Sequence, residues 1–260
     1  MAYNPYINSF NTSGDFETYI ESSAPKAPNV AYLKDLNEVR YTTILPNDYV
    51  VYGTTTGSTD FTRSGISFKV AQATDGGDNI LYVESSGVPQ SLTSLAYCFN
   101  TTEGHKITKL KKWAIDTTNV TDMSQVFRDC SELTSLDLSS FDTANVTNMI
   151  NMFYGCSKLT SLDLSSFDTS NVTDISGMFA NCASLNKLYL SSSFFNSTSI
   201  TTYPLNSLDA WTDADSLEQF VQAAEVVDGS GKTIKLSFTT KDALTQAQKD
   251  RITGVGWTIG

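Results

Sequence analysis

The sequence predicts an α/β fold: a short solenoid of 26-residue strand–helix repeats, preceded by a small β unit and closed by an α/β C-terminal cap. Three observations lead there. The segment RDCSELTSLDLSSFDTANVTNMINMF returns almost unchanged, 26 residues on, as YGCSKLTSLDLSSFDTSNVTDISGMF. Each copy contains two hydrophobic periods, one near 2 and one near 3.6. The regions on either side lack the repeat and carry short β-like and helix-like runs of their own.

Phe127, Phe153 and Phe179 mark the interval, as do Leu133, Leu159 and Leu185, then Leu136, Leu162 and Leu188, and then Asn119, Asn145 and Asn171. A degenerate first copy places Ile107, Leu110 and Ile115 in apolar slots. This period falls within the range of leucine-rich repeats. In Leu136-Asp137-Leu138 the apolar residues alternate, which predicts a strand. Met123, Val126, Phe127 and Cys130 follow the spacing i, i+3, i+4, i+7, and two further copies repeat it, which predicts two helical turns with one buried stripe. Thr121, Thr147 and Thr173, each followed by Asp122, Asn148 or Asp174, are expected to cap those helices. One copy cannot enclose its own apolar face, so stacking must supply the core. The asparagine column falls in the bend, where an amide can bond backbone groups that neither element uses.

Around the repeats, the chain divides into residues 1–44, an extended anchor without a sustained period; 45–98, a small β-rich unit; 99–204, the solenoid; and 205–260, the cap. Tyr49–Tyr52, Ile66–Val70 and Ile80–Val83 read as strands of an antiparallel unit. Leu217–Val227 has helical spacing, Thr233–Phe238 alternates as a strand, Thr245–Arg251 suits a second helix, and Trp257 and Ile259 suit a last strand.

With 17 Lys and Arg against 28 Asp and Glu, the net charge of −11 argues against nucleic-acid partners, which need basic density to displace counterions. The basic stretch at Lys106, Lys109, Lys111 and Lys112 alternates with apolar residues and reads as a solvated strand or solenoid edge. No run is long enough to predict a membrane span. The opening has no basic residue before Lys26 and no continuous apolar stretch, which reads as neither a Sec signal nor a lipoprotein leader. Cys130, Cys156 and Cys182 recur with the repeat and are expected, with Cys98, to be free buried thiols of a protein assembled in a reducing cytoplasm.

Motifs of catalysis are scarce. The single histidine, His105, has no hydrolase context, no C-x-x-C pair exists, and Gly229-Ser230-Gly231-Lys232 reads as a hairpin turn, not a phosphate loop. The expectation is therefore a non-enzymatic protein with no cofactor and no metal. Carboxylates leave an alternative open, since glycoside cleavage needs only a suitably spaced pair. The recurring Asp137 and Asp163, and the column Asp116, Asp142 and Asp168, argue for a structural role, with cation binding by a column as the other reading.

The unit C-S-x-L-T-S-L-D-L-S-S-F-D-T-x-N-V-T-[DN]-[MI]-x-x-M-F, carried by Cys130–Phe153 and Cys156–Phe179, resembles the BspA-like leucine-rich repeats of bacterial surface proteins, and the closing region Leu244–Ile259 is similar to the end of such arrays. The resemblance implies interaction, not catalysis. The opening, with Ala27-Pro28-Asn29-Val30-Ala31-Tyr32-Leu33 and Asp35–Tyr41, is similar to leaders on structural proteins of tailed phages. Together these imply a virion surface protein, a head fibre or capsid decoration, assembled in host cytoplasm; a bacterial adhesin and, less so, a polysaccharide depolymerase are the alternatives. The expected partners are phage capsid or other virion proteins and copies of the chain itself, with a homotrimer favoured, and glycan or host-surface ligands. The expected attachment residues are Tyr6, Phe10, Phe16, Tyr19 and Tyr32. The expected ligand face is Thr134, Asp137, Thr160, Asp163, Asn186 and Tyr189.

Overall fold

The computed structural model describes residues 49–71 and 78–260, together with the backbone of three short strands, β1 (Asn8–Phe10), β2 (Ala31–Leu33) and β3 (Arg40–Thr42). β1 pairs parallel with β2, and β2 antiparallel with β3. Of the expected attachment residues, Tyr6, Phe16 and Tyr19 lie outside the described residues; Phe10 and Tyr32 fall in β1 and β2, whose side chains also lie outside them.

The β unit follows from alternation. In β4 (Tyr49–Thr55), β6 (Ile66–Ala71) and β7 (Asn79–Glu84), Val51, Ile66, Phe68, Leu81 and Val83 turn inward and are buried. β5 (Phe61–Arg63) meets β6 through a two-residue turn, Ser64-Gly65, with φ of 52° and 75°. Positive φ at both positions is what a type I′ hairpin requires. β8 (Ile107–Trp113) pairs antiparallel with β4 on one side and parallel with β9 (Ser135–Leu136) on the other. The lysine-bearing strand is thus interior to a six-stranded mixed sheet, β5-β6-β7-β4-β8-β9, which crosses from the β unit into the repeats. β10 (Ser161–Leu164) and β11 (Lys187–Leu190) form a parallel pair with Ser161 opposite Lys187, again one repeat apart.

The expected solenoid of strand–helix repeats does not form. The largest sheet is mixed, and α-helix among the described residues is confined to α1 (Ala214–Glu225), α2 (Phe238–Ala243) and α3 (Gln246–Gly254), all after the repeats. Residues 123–129, 149–155 and 175–181, where helices were expected, are almost entirely runs of turns. Two positions in each copy have left-handed backbone: Gln125 (57°) and Asp129 (59°), Asn151 (54°) and Gly155 (76°), Gly177 (66°) and Asn181 (61°). A right-handed helix cannot pass through them.

The hydrogen bonds show what replaces the helix. The N–H groups of Met123, Gln125, Phe127 and Asp129 donate to the carbonyls of Asn148, Ile150, Met152 and Tyr154 in the next copy, at 2.7–2.9 Å. Those of Met149, Asn151, Phe153 and Gly155 donate onward to Asp174, Ser176, Met178 and Ala180, at 2.8–3.0 Å. Each backbone group has one donor to give. Here alternate donors run along the stack instead of back along their own turn. The expected helix caps are also replaced: Asp122 Oδ1, Asn148 Oδ1 and Asp174 Oδ1 accept from the N–H two residues on, at 2.9, 3.1 and 2.7 Å, closing Asx turns.

The apolar columns still form the core. Phe99, Phe127, Phe153 and Phe179 stack face to face, with centroids 5.2, 5.7 and 5.9 Å apart and planes within 12° of parallel. Phe61 and Phe68 close this column at the Phe99 end. In the C-terminal region β12 (Thr202–Leu205), β13 (Thr233–Leu236) and β14 (Thr258–Ile259) form a parallel sheet. A cluster of Phe195, Tyr203, Phe220 and Trp257 packs beside it. The helices expected at Leu217–Val227 and Thr245–Arg251 coincide with α1 and α3. Arg251 joins the two, bonding Glu225 at 2.6 and 2.9 Å and Glu218 at 2.7 Å. Gly229-Ser230-Gly231-Lys232 is a turn, but β13 beyond it pairs parallel on both sides, so it is no hairpin.

Candidate binding surface

The strands set six expected ligand-face residues at three levels, one per copy. At the first, Thr134 is exposed and its hydroxyl donates to the Thr108 carbonyl at 3.0 Å. Asp137, also exposed, accepts from the Ser139 N–H (3.0 Å) and hydroxyl (2.7 Å). At the second, Thr160 and Asp163 are exposed, and Asp163 Oδ1 accepts from the Ser165 N–H at 2.9 Å. The third level differs. Tyr189 lies opposite Asp163 and is half-buried, while Asn186 Oδ1 accepts from the N–H and hydroxyl of Thr212, both at 3.1 Å. The chain leading into α1 therefore covers Asn186, and Lys187 pairs with Asp213 at 3.3 Å. Four residues form an open face of hydroxyls and carboxylates; Asn186 is drawn into a cap contact.

The two carboxylates serve their own Asx turns, as does Asp116, whose carboxyl the Thr118 N–H and hydroxyl hold below the usual carboxylate range. Asp142 and Asp168 accept from the N–H groups of Ala144 and Ser170 in the same way. Among the described residues no group of three or more His, Cys, Asp or Glu side chains comes together as a metal site. His105 Nε2 bonds Asn100 Oδ1 at 3.0 Å. The four cysteines are free and buried, and burial raises their thiols, Cys182 to about 12. No helix among the described residues is long and apolar enough to cross a membrane.

The asparagine column behaves as a bend column: Asn145 Nδ2 donates to the Thr118 carbonyl and Asn171 Nδ2 to the Ala144 carbonyl, both at 2.8 Å and both exposed. Beside it runs a threonine ladder. Thr117 and Thr143 each donate to the carbonyl, and accept from the N–H, of Asp142 and Asp168 respectively, at 2.8–3.1 Å. Thr169 donates to the Phe194 carbonyl at 2.7 Å. All three are buried, and their recurrence in the D-T pairs of the sequence was the available signal.

Residues 93–219, just under half of the chain, match the family model described as Mycoplasma protein of unknown function, DUF285. Searches of curated proteins and of solved structures return no significant match.

Proposed function

We propose that this chain is a non-enzymatic surface protein of a bacteriophage particle, a capsid-attached fibre or decoration, which presents the face around Thr134, Asp137, Thr160 and Asp163 to host or environmental ligands. The observation that carries the binding part is the face itself: exposed polar side chains repeated on a backbone whose hydrogen bonds run from copy to copy. A surface fixed in this way loses little conformational freedom on binding. The virion part rests on the opening segment's likeness to tailed-phage leaders. In this reading residues 1–44 attach the chain to a virion protein, and copies assemble there as a homotrimer.

The second reading is a BspA-like adhesin on a bacterial surface. It draws on the repeat motif and on the match of residues 93–219 to a family named for Mycoplasma and not for a virus. Co-sedimentation separates the two. Protein lacking residues 1–44 is expected to stay folded and to lose association with purified particles that the full chain joins. Association at full occupancy without those residues would make the repeat region the attachment surface, and no association of the full chain would favour the adhesin.

A further inference from the structure

A cleft of about 400 Å³ lies between the hairpin joining β5 to β6 and the start of the repeat stack, lined by Arg63, Ser64, Pro89, Thr93, Ser94 and Tyr97 among others. Its position follows from the ladder. In the second copy the carbonyls of Asp122, Ser124 and Val126 accept from the N–H groups of Leu95, Tyr97 and Phe99. The first copy has no copy before it, and the equivalent residues Ser94 and Ala96 line the cleft instead. Ala96 O receives the Ser64 hydroxyl at 3.2 Å, and Ser94 O has no partner among the described residues.

Tyr97 is the unexpected residue. It holds the left-handed slot (φ 61°) that Gln125, Asn151 and Gly177 hold in the later copies. The ladder imposes that conformation, since the Tyr97 N–H donates to the Ser124 carbonyl at 3.0 Å, but it does not ask for an aromatic ring. A bulky residue at positive φ is strained, and with the residue 45% exposed, burial does not repay the strain. Arg63, at the end of β5, is exposed and makes no ion pair among the described residues. Among the described residues no carboxylate lines the cleft, although the chain carries a net charge of −11.

We infer that this cleft binds an acidic saccharide, with the sugar ring against Tyr97, its carboxylate on Arg63 and its hydroxyls donating to the open Ser94 carbonyl. An aromatic platform with a few placed polar groups is the ordinary composition of a small-ligand site, and a guanidinium matches a carboxylate in plane. A single cation suits one carboxylate better than a phosphate, for which the cleft offers no second positive group. The site is separate from the strand face and does not depend on the virion reading.

Calorimetric titration of the full chain tests it, with trigalacturonate as probe and maltotriose as neutral control. Trigalacturonate is expected to bind at least tenfold more tightly than maltotriose, about 1.4 kcal/mol. Arg63→Gln should abolish that preference. Tyr97→Asn should weaken trigalacturonate binding at least tenfold while leaving the melting temperature unchanged or higher, because asparagine tolerates the left-handed slot. Equal binding of the two trisaccharides, or undiminished binding by Tyr97→Asn, overturns the inference. So does a lowered melting temperature in Tyr97→Asn, which would make the ring a packing group. Neither variant touches residues 1–44, so failure here leaves the particle-association test standing.

Discussion

Met123, Val126, Phe127 and Cys130 in the repeats, and Leu217, Phe220, Val221 and Ala224 near the C-terminus, have the same spacing and are all buried, yet the first set sits on a run of turns and the second on α1. Hydrophobic spacing therefore reports which side chains go inward, not how the backbone is bonded. In α1 the donors stay within the helix, and Asp213 Oδ1 satisfies the Ser216 N–H at 3.0 Å. In the repeats an equivalent segment waits one copy away, and its carbonyls take the donors instead. Left-handed Gln125 and Asp129 turn alternate peptide groups toward that neighbour.

The largest effect should come from the column that stacking creates. Phe153 is fully buried, with Phe127 and Phe179 on its two faces. Phe153→Ala is expected to cost about 3–5 kcal/mol, read as a fall in chemical-denaturation midpoint. A change within error would take the ring out of the stack. The threonine ladder comes next: Thr143→Val keeps the shape but leaves the Asp168 N–H and carbonyl without their partner, an expected loss of about 1–3 kcal/mol. If that variant is as stable as the parent, copy-to-copy backbone bonds alone hold the bend.

These two predictions also mark what was legible in the sequence. The phenylalanine, leucine and cysteine columns were read correctly as core, because burial follows from composition and period. The strands β4, β6 and β7, and the helices α1 and α3, were readable for the same reason, with a cap or turn residue at their ends. The helical half of the repeat was not. Its pattern fits an α-helix, and what rules the helix out is a set of unremarkable residues, Gln125, Asp129 and Asn151, in a left-handed conformation, bonded to the turns of the next copy. On the candidate face, alternation placed Thr134, Asp137, Thr160 and Asp163 outward. The cap contact of Asn186 was hidden because Thr212 and Asp213 reach it from 26 and 27 residues away.

Glycine substitution gives the two regions opposite signs. Gln222 is exposed within α1, and Gln222→Gly is expected to cost about 0.5–1 kcal/mol through helix propensity. Asn151, at φ 54°, already occupies glycine's territory, and Asn151→Gly should change stability by less than about 0.5 kcal/mol or raise it. Destabilisation by both to the same degree would mean that residues 149–155 are helical in solution. Gly155→Ala probes the reverse direction: φ is 76°, and an added Cβ would stand 2.6 Å from Asp129 Oδ1, so this change should destabilise.

The smallest effect concerns charge at two kinds of Asx contact. In the turn slot Asn148 stands where Asp122 and Asp174 stand and accepts the same N–H, so a neutral amide suffices there. At the α1 N-cap the carboxylate of Asp213 meets more than one N–H: the Ser216 N–H first, then Lys187, holds it below the usual aspartate range. The positive end of the helix dipole favours the charge as well. A depressed folded pKa stabilises above the unfolded value, about 4, and that contribution is lost as pH falls through the depressed one. Asp213→Asn keeps the acceptor and removes the charge. Thermal melts followed by far-ultraviolet circular dichroism should therefore place the parent above this variant at pH 7, with the gap closing as pH drops below about 4. A gap that persists unchanged at low pH would show that the amide disturbs the cap geometry, and that charge matters no more at the helix start than in the turns of the repeat.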